Sequence, residues 1–233
     1  MKIRFSLCII HLLLFSFIAN ANEQEKLLER VDRVRAPSNN FTFRVQTTPT
    51  NGQTLHMEVA IKDRTKGLVR YVEPFSLKGR KILFIENNMW AYVPGSRRAL
   101  RVSPMQRLTG GASNADIARV IFSLDYTIEN IEPSGEDQVL QLVAKNNAMY
   151  SRVDLTISKN VAPKLAIYYS SNGKRKIKSL YFEDYQLVLG IQRPMQLRIV
   201  DHLSGDEETV LQYSDFTLAN TPDAWFQPGY LNR

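Results

Sequence analysis

The stretch FTFRVQTTPTNGQTLHMEVAIK, Phe41 to Lys62, decides the fold. Phe41, Phe43 and Val45 alternate with Thr42, Arg44 and Gln46. Leu55, Met57, Val59 and Ile61 alternate with His56, Glu58 and Lys62. A period of two puts one apolar face on each of two strands. The same style continues through Leu68–Glu73, Arg80–Glu86, Met89–Val93 and Ala99–Ser103, with turn dipeptides at Asn87-Asn88 and Pro94-Gly95. It returns at Thr127–Ile131, Gln138–Ala144, Arg152–Ser158, Leu165–Ser170, Ile177–Phe182, Met195–Val200 and Thr209–Phe216. Ser134-Gly135, Asn172-Gly173 and Ser204-Gly205 mark tight turns. Roughly a dozen short strands are expected in all.

Two segments break this period. Glu23 to Arg35 places Leu27, Leu28, Val31 and Val34 on one helical stripe, and Pro37 ends it. Gly110-Gly111 precede a second helix, expected over Asp116 to Phe122. Ser113 or Asn114 would cap it, and Ile117, Val120 and Ile121 form its stripe. So short a helix must lie on something apolar. The expectation is a mainly β chain with two helices: a strongly curved antiparallel sheet, or incomplete barrel, with the helices on its open side. No repeat or linker divides it, so residues 22–233 are read as a single domain.

The chain opens MKIRFSLCIIHLLLFSFIANA. Lys2 and Arg4 precede an apolar core, and Ala19-Asn20-Ala21 gives a small-x-small cleavage pattern, so residues 1–21 are read as a cleaved signal peptide. The apolar core is shorter than the about 20 residues of a spanning helix. Cys8, the one cysteine of the chain, lies too early to be lipidated. Removal of the leader from 233 residues leaves 212. The net charge falls from +7 by the two basic residues lost, to +5. The mature chain then has no cysteine, which excludes disulfides, thiol nucleophiles and thiolate metal sites. The compartment expected is the periplasm, with a soluble, unlipidated protein. Export makes nucleic acid an improbable partner for the positive charge. Anionic lipid head groups and acidic proteins are the partners that such a charge can steer toward.

Catalytic signals are weak. His56 and His202 stand on different expected strands, with no metal-ligand spacing around either. No nucleophile-elbow motif is present. Glu136-Asp137 and Asp206-Glu207-Glu208 sit in hairpin turns, where carboxylates are solvated. Gly110-Gly111 lacks the Lys-Ser/Thr of a phosphate loop. No catalytic residue, metal or cofactor is therefore expected.

Several segments in order resemble the outer-membrane lipoprotein-sorting family, the LolA-like periplasmic carriers. They are the helix after the leader, NFTFRV, MEVAIKDRTKGLVRYVEPFSLKGRKILFIENNMWAYVPGSRRALRVSP, and the closing DAWFQPGYL. The spacing of LVRYVEP, the Lys78-Gly79 turn and MWAYVP is the most specific part. SPMQRLTGGASNADIARVIFSLDY is similar to the branch whose client is unassigned, and departs from the lipoprotein carrier proper. The resemblance implies an unclosed β-barrel whose helices form a lid over an apolar cavity that holds acyl chains without a cofactor. It implies a lipoprotein or lipid client, an inner-membrane transporter of ABC or RND type as donor, and an outer-membrane acceptor. The family's lid-holding arginine falls in IKDRTKG, on Asp63 or Arg64, and Arg64 is the candidate.

On that resemblance the expected cavity wall is Phe43, Met57, Val59, Ile61, Leu68, Phe84, Trp90 and Tyr92, and the expected lid contacts are Ile117, Val120, Ile121 and Arg64. An imperfectly filled cavity would gain about 0.8 kcal/mol per methylene of cargo buried. Arg97, Arg98, Arg101 and Arg107 are candidates for docking to lipid phosphates or an acidic transporter surface. Lys174, Arg175, Lys176 and Lys178 read as an exposed basic hairpin. The alternatives are an accessory subunit that docks on an envelope transporter and carries nothing, and a hydrolase in the same shell.

Overall fold

The computed structural model of the chain describes residues 22–118, 121–145, 148, 150–170 and 172–233. The expected signal peptide and Val120 lie outside the described residues.

Residues 22–35 form α1. The chain then runs through β1 (Phe41–Pro49), β2 (Leu55–Lys62), β3 (Lys66–Glu73), β4 (Lys81–Ile85), β5 (Asn88–Tyr92) and β6 (Leu100–Val102). A small ribbon, β7 (Arg107–Thr109) and β8 (Ala112–Ser113), leads into α2 (Asn114–Ala118) and α3 (Phe122–Asp125). The remaining strands are β9 (Tyr126–Ser134), β10 (Asp137–Ala144), β11 (Arg152–Ile157), β12 (Pro163–Tyr169), β13 (Lys176–Val188), β14 (Ile191–Asp201) and β15 (Glu207–Leu218). Apart from β7 and β8, all strands join one antiparallel sheet in the order β6-β5-β4-β3-β2-β1-β15-β14-β13-β12-β11-β10-β9. β6 and β9 are its free edges, so the sheet curves without closing.

The alternation of the opening stretch sets the register. Phe41 pairs with Ile61, Phe43 with Val59 and Val45 with Met57, all on one buried face. That face continues through Val69, Tyr71, Ile82, Phe84 and Met89 in one direction, and through Leu197, Leu180, Ala166 and Leu155 in the other. Such a face must be covered by another layer, and α1 to α3 supply it. Leu28 and Val31 of α1, with Ile117 and Phe122, pack into the same core.

The opposite face is also partly covered. Ala60, Leu68 and Leu83 form a second cluster with Phe226 and Leu231 of the closing segment, and Trp90, Tyr92, Trp225 and Tyr230 pack against it. The DAWFQPGYL segment is thus a cap on the outer face, made of two short 3-10 turns, Asp223–Phe226 and Pro228–Tyr230. Arg70 lies 4.3 Å over the Trp225 ring and fastens it to β3.

Two expectations about helices change. Ile121 is extended (φ −118°, ψ 97°), so the helical pattern does not run unbroken from Asp116 to Phe122. It is divided into α2 and α3. Gly110-Gly111 is an anchor rather than a free reversal. A Cβ on Gly110 would stand 2.3 Å from Thr209 Oγ1, and one on Gly111 2.8 Å from Asp201 Cβ. The pair lets the β7–β8 ribbon lie directly on the sheet, where Gly111 N–H donates to Thr209 Oγ1 (2.9 Å).

Candidate functional site

The helical layer is held to the sheet at a few polar points. Asp32 lies on the stripe face of α1, four residues after Leu28, and is buried. Its carboxylate accepts from the N–H groups of Phe122 (2.8 Å) and Ser123 (3.0 Å) and from the Ser123 hydroxyl (2.6 Å). These are the first orphan donors of α3, so α1 supplies the cap that α3 lacks in its own sequence. Burial pushes the Asp32 carboxyl up; the three donors and Arg64 pull it back. Arg64 Nη2 stands 3.7 Å from Asp32 Oδ2, an ion pair longer than a hydrogen bond.

The second point is an ion pair between Asp116 of α2 and Lys178 of β13, 2.5 Å apart and almost fully buried. Asp116 also accepts from the Ser113 N–H (2.8 Å) and hydroxyl (2.7 Å), which makes Ser113 the capping residue of α2. Lys178 Nζ lies 5.0 Å and 5.4 Å from the Tyr150 and Tyr168 ring centroids. Burial alone would push this ammonium down; Asp116 and Tyr150 offset that, and it sits above its ordinary value. Lys178 therefore leaves the exposed basic hairpin and becomes a lid fastening.

Between these fastenings is a cavity of about 60 Å³ lined by Asp32, Arg35, Ala36, Phe41, Phe43, Ile61, Arg64, Ile117, Ile121, Arg193, Pro194, Leu197 and Tyr213. It is far smaller than the ~300–1,000 Å³ of a ready small-molecule pocket. The expected apolar cavity is thus mostly filled by side chains. Larger grooves of about 530 and 480 Å³ lie against the outer face of β1 and β2, but charged residues such as Arg44, Glu58 and Asp215 line them.

The structure divides the expected wall. Phe43 and Ile61 line the cavity, while Met57, Val59 and Phe84 lie in the same core farther along the sheet. Leu68, Trp90 and Tyr92 belong to the outer-face cluster under the closing segment, because they alternate out of the core face of β3 and β5. Of the lid set, Ile117, Ile121 and Arg64 meet at the cavity. Of the arginines, Arg107 is engaged by Asp201 (2.9 Å), Ser204 Oγ (2.6 Å) and Glu207 (3.6 Å), and Arg101 by Asn88. Arg97 and Arg98 are exposed beside edge strand β6. Sequence reading missed Asp32 and Arg193, which interrupt apolar stripes at buried positions.

Ser179, His202 and Asp206 form a hydrogen-bonded line: Ser179 Oγ to His202 Nε2 2.8 Å, and His202 Nδ1 to Asp206 Oδ1 2.5 Å. The arrangement is that of a nucleophile, base and orienting acid. Ser179, however, sits in mid-strand, paired with Ile167 on one side and Val200 on the other. The backbone there is committed to the sheet and offers no oxyanion donors. None of the cavities above includes Ser179. The line braces the β14–β15 turn against β13.

The geometry defines a class: an unclosed antiparallel β-barrel whose apolar concave face is covered by a fastened helical lid. A family model described as "Uncharacterized protein"-like matches residues 63–233. No curated protein matches the sequence. Among solved structures, a LolA superfamily protein from Nitrosomonas europaea is 29% identical, with 89% of this chain and 98% of that one covered and a TM-score of 0.78. A DUF1329 family protein from Desulfovibrio piger is 21% identical, covering 91% and 98%, with a TM-score of 0.76. A domain described as an outer membrane lipoprotein-sorting protein, from Vibrio parahaemolyticus, is 19% identical, covering 90% and 100%, with a TM-score of 0.75. The chain belongs to the family of the model that matches residues 63–233, and over nearly its whole length it is similar in fold to the LolA superfamily protein. Among the described residues, no helix is long and apolar enough to cross a membrane.

Proposed function

We propose that the protein is a periplasmic carrier that shelters the acyl part of a lipid or lipoprotein between its curved sheet and its helical lid. It would take the client from an inner-membrane transporter and pass it toward the outer membrane. The observation that carries this reading is the thin cover on the core face: short helices, fastened at Asp32 and at Asp116–Lys178, over a continuous apolar wall. Because the residual cavity holds about 60 Å³, cargo must displace the lid. That opening is driven only by the difference in cargo affinity between the open and shut states. Arg97 and Arg98 are the proposed contacts with acidic head groups or an acidic transporter surface, and this docking, unlike acyl retention, is expected to weaken as salt rises.

The test is native mass spectrometry of the protein purified from periplasm, followed by lipid extraction. The carrier predicts a stoichiometric lipid or lipopeptide that leaves on extraction. A consistently empty protein, also empty after incubation with palmitate or a lipopeptide, contradicts it.

A further inference from the structure

Arg193 occupies a position that an apolar cargo site does not require. It lies on the core face of β14 at only 4% exposure and lines the cavity. Its Nε and Nη1 have no hydrogen-bond partner. The guanidinium stacks 3.6 Å from the Phe216 centroid and 5.5 Å from that of Tyr213. A backbone irregularity makes this possible. The β1–β15 register shifts between Thr42 and Arg44, and Asp215 takes a positive φ of 56°. The bulge turns Phe216 toward Phe41 and Phe43 as a flat apolar floor for the arginine.

The surroundings hold a surplus of positive charge. Among the described residues that line the cavity, Arg35, Arg64 and Arg193 stand with one carboxylate, Asp32. That carboxylate is already taken by Phe122 and Ser123. Burial pushes the Arg193 guanidinium down, to about 9, which leaves it cationic at neutral pH. An unpaired buried cation is costly to keep, and a guanidinium fork matches a carboxylate or phosphate with two parallel bonds.

We propose that Arg193 is the anchor for an anionic oxygen head, carboxylate or phosphate, at the end of an acyl chain, with Arg35 and Arg64 supplying further positive charge around it. This rests on the carrier reading and narrows it. The cargo is an acidic lipid rather than the ester- or amide-linked anchor of a lipoprotein, whose chain ends bear no anionic oxygen.

The test compares palmitate, hexadecyl phosphate, hexadecanol and inorganic phosphate on the mature protein by calorimetry. Palmitate or hexadecyl phosphate should bind at least about tenfold tighter than hexadecanol, which is about 1.4 kcal/mol. The better of the two names the head. Arg193→Met should remove that preference and leave hexadecanol affinity within about twofold, while the unliganded variant melts at a higher temperature because an unpaired charge is gone. Arg193→Lys, with the charge but not the fork, should retain part of the preference. Equal binding of hexadecanol and palmitate by the wild type overturns the anchor and leaves the carrier standing. So does an unchanged preference in Arg193→Met, or inorganic phosphate binding as tightly as palmitate. Binding of none of the three amphiphiles overturns carrier and anchor together.

Discussion

Asp32→Ala is expected to loosen the helical layer before the sheet melts. The substitution strands the N–H groups of Phe122 and Ser123, which the carboxylate now accepts at 2.8 and 3.0 Å. Each buried donor left without a partner costs about 1–3 kcal/mol. Water entering from the adjoining cavity recovers part of that, so a loss of roughly 2–4 kcal/mol is expected. For a domain of this size it corresponds to a fall in Tm of about 5–15 °C. The loss should be local first. Hydrogen exchange should rise across residues 22–35 and around Phe122–Asp125, while β13 to β15 keep their protection. A uniform rise over the whole chain would mean that α1 is an integral part of the core rather than a lid.

Lys178→Met is expected to cost about 3–5 kcal/mol, because it leaves Asp116 buried without its counter-charge. The double substitution Lys178→Met with Asp116→Asn should recover most of the loss. The amide oxygen introduced by Asp116→Asn would retain an acceptor for Ser113, and no charge would be left in the core. The double-mutant cycle reads the coupling directly. A double variant no more stable than Lys178→Met alone would show that the pair does not hold α2 down. Asp32 and the Asp116–Lys178 pair fasten different helices, so combining Asp32→Ala with the double variant should give nearly additive losses.

The sheet was legible because period-two alternation is a local signal. Phe41–Val45 and Leu55–Ile61 show their core face without reference to any other element. What was not legible depended on partners remote in sequence. Nothing local says whether the apolar face of β3 to β5 that carries Leu68, Trp90 and Tyr92 looks inward. That follows from the closing segment folding back so that Phe226 and Leu231 cover it. The division of the second helix follows from Asp32, about 90 residues earlier in the chain, capping Phe122 and Ser123. Lys178 read as one more lysine of a basic hairpin until Asp116 was brought against it from 62 positions away. The two buried charges on apolar stripes, Asp32 at i+4 from Leu28 and Arg193 two before Met195, were the available signals, since a charge at a core register needs a reason.

Photo-crosslinking most directly tests whether acyl cargo lies between lid and sheet. The mature protein is loaded with a palmitate analogue carrying a diazirine close to its carboxylate, irradiated, digested and mapped by mass spectrometry. The account predicts adducts on the core side, at Phe43, Ile61, Ile117, Ile121 or Leu197, and fewer of them when free palmitate competes. Adducts confined to the outer-face residues Trp90, Trp225 or Tyr230, or scattered without competition, would contradict it.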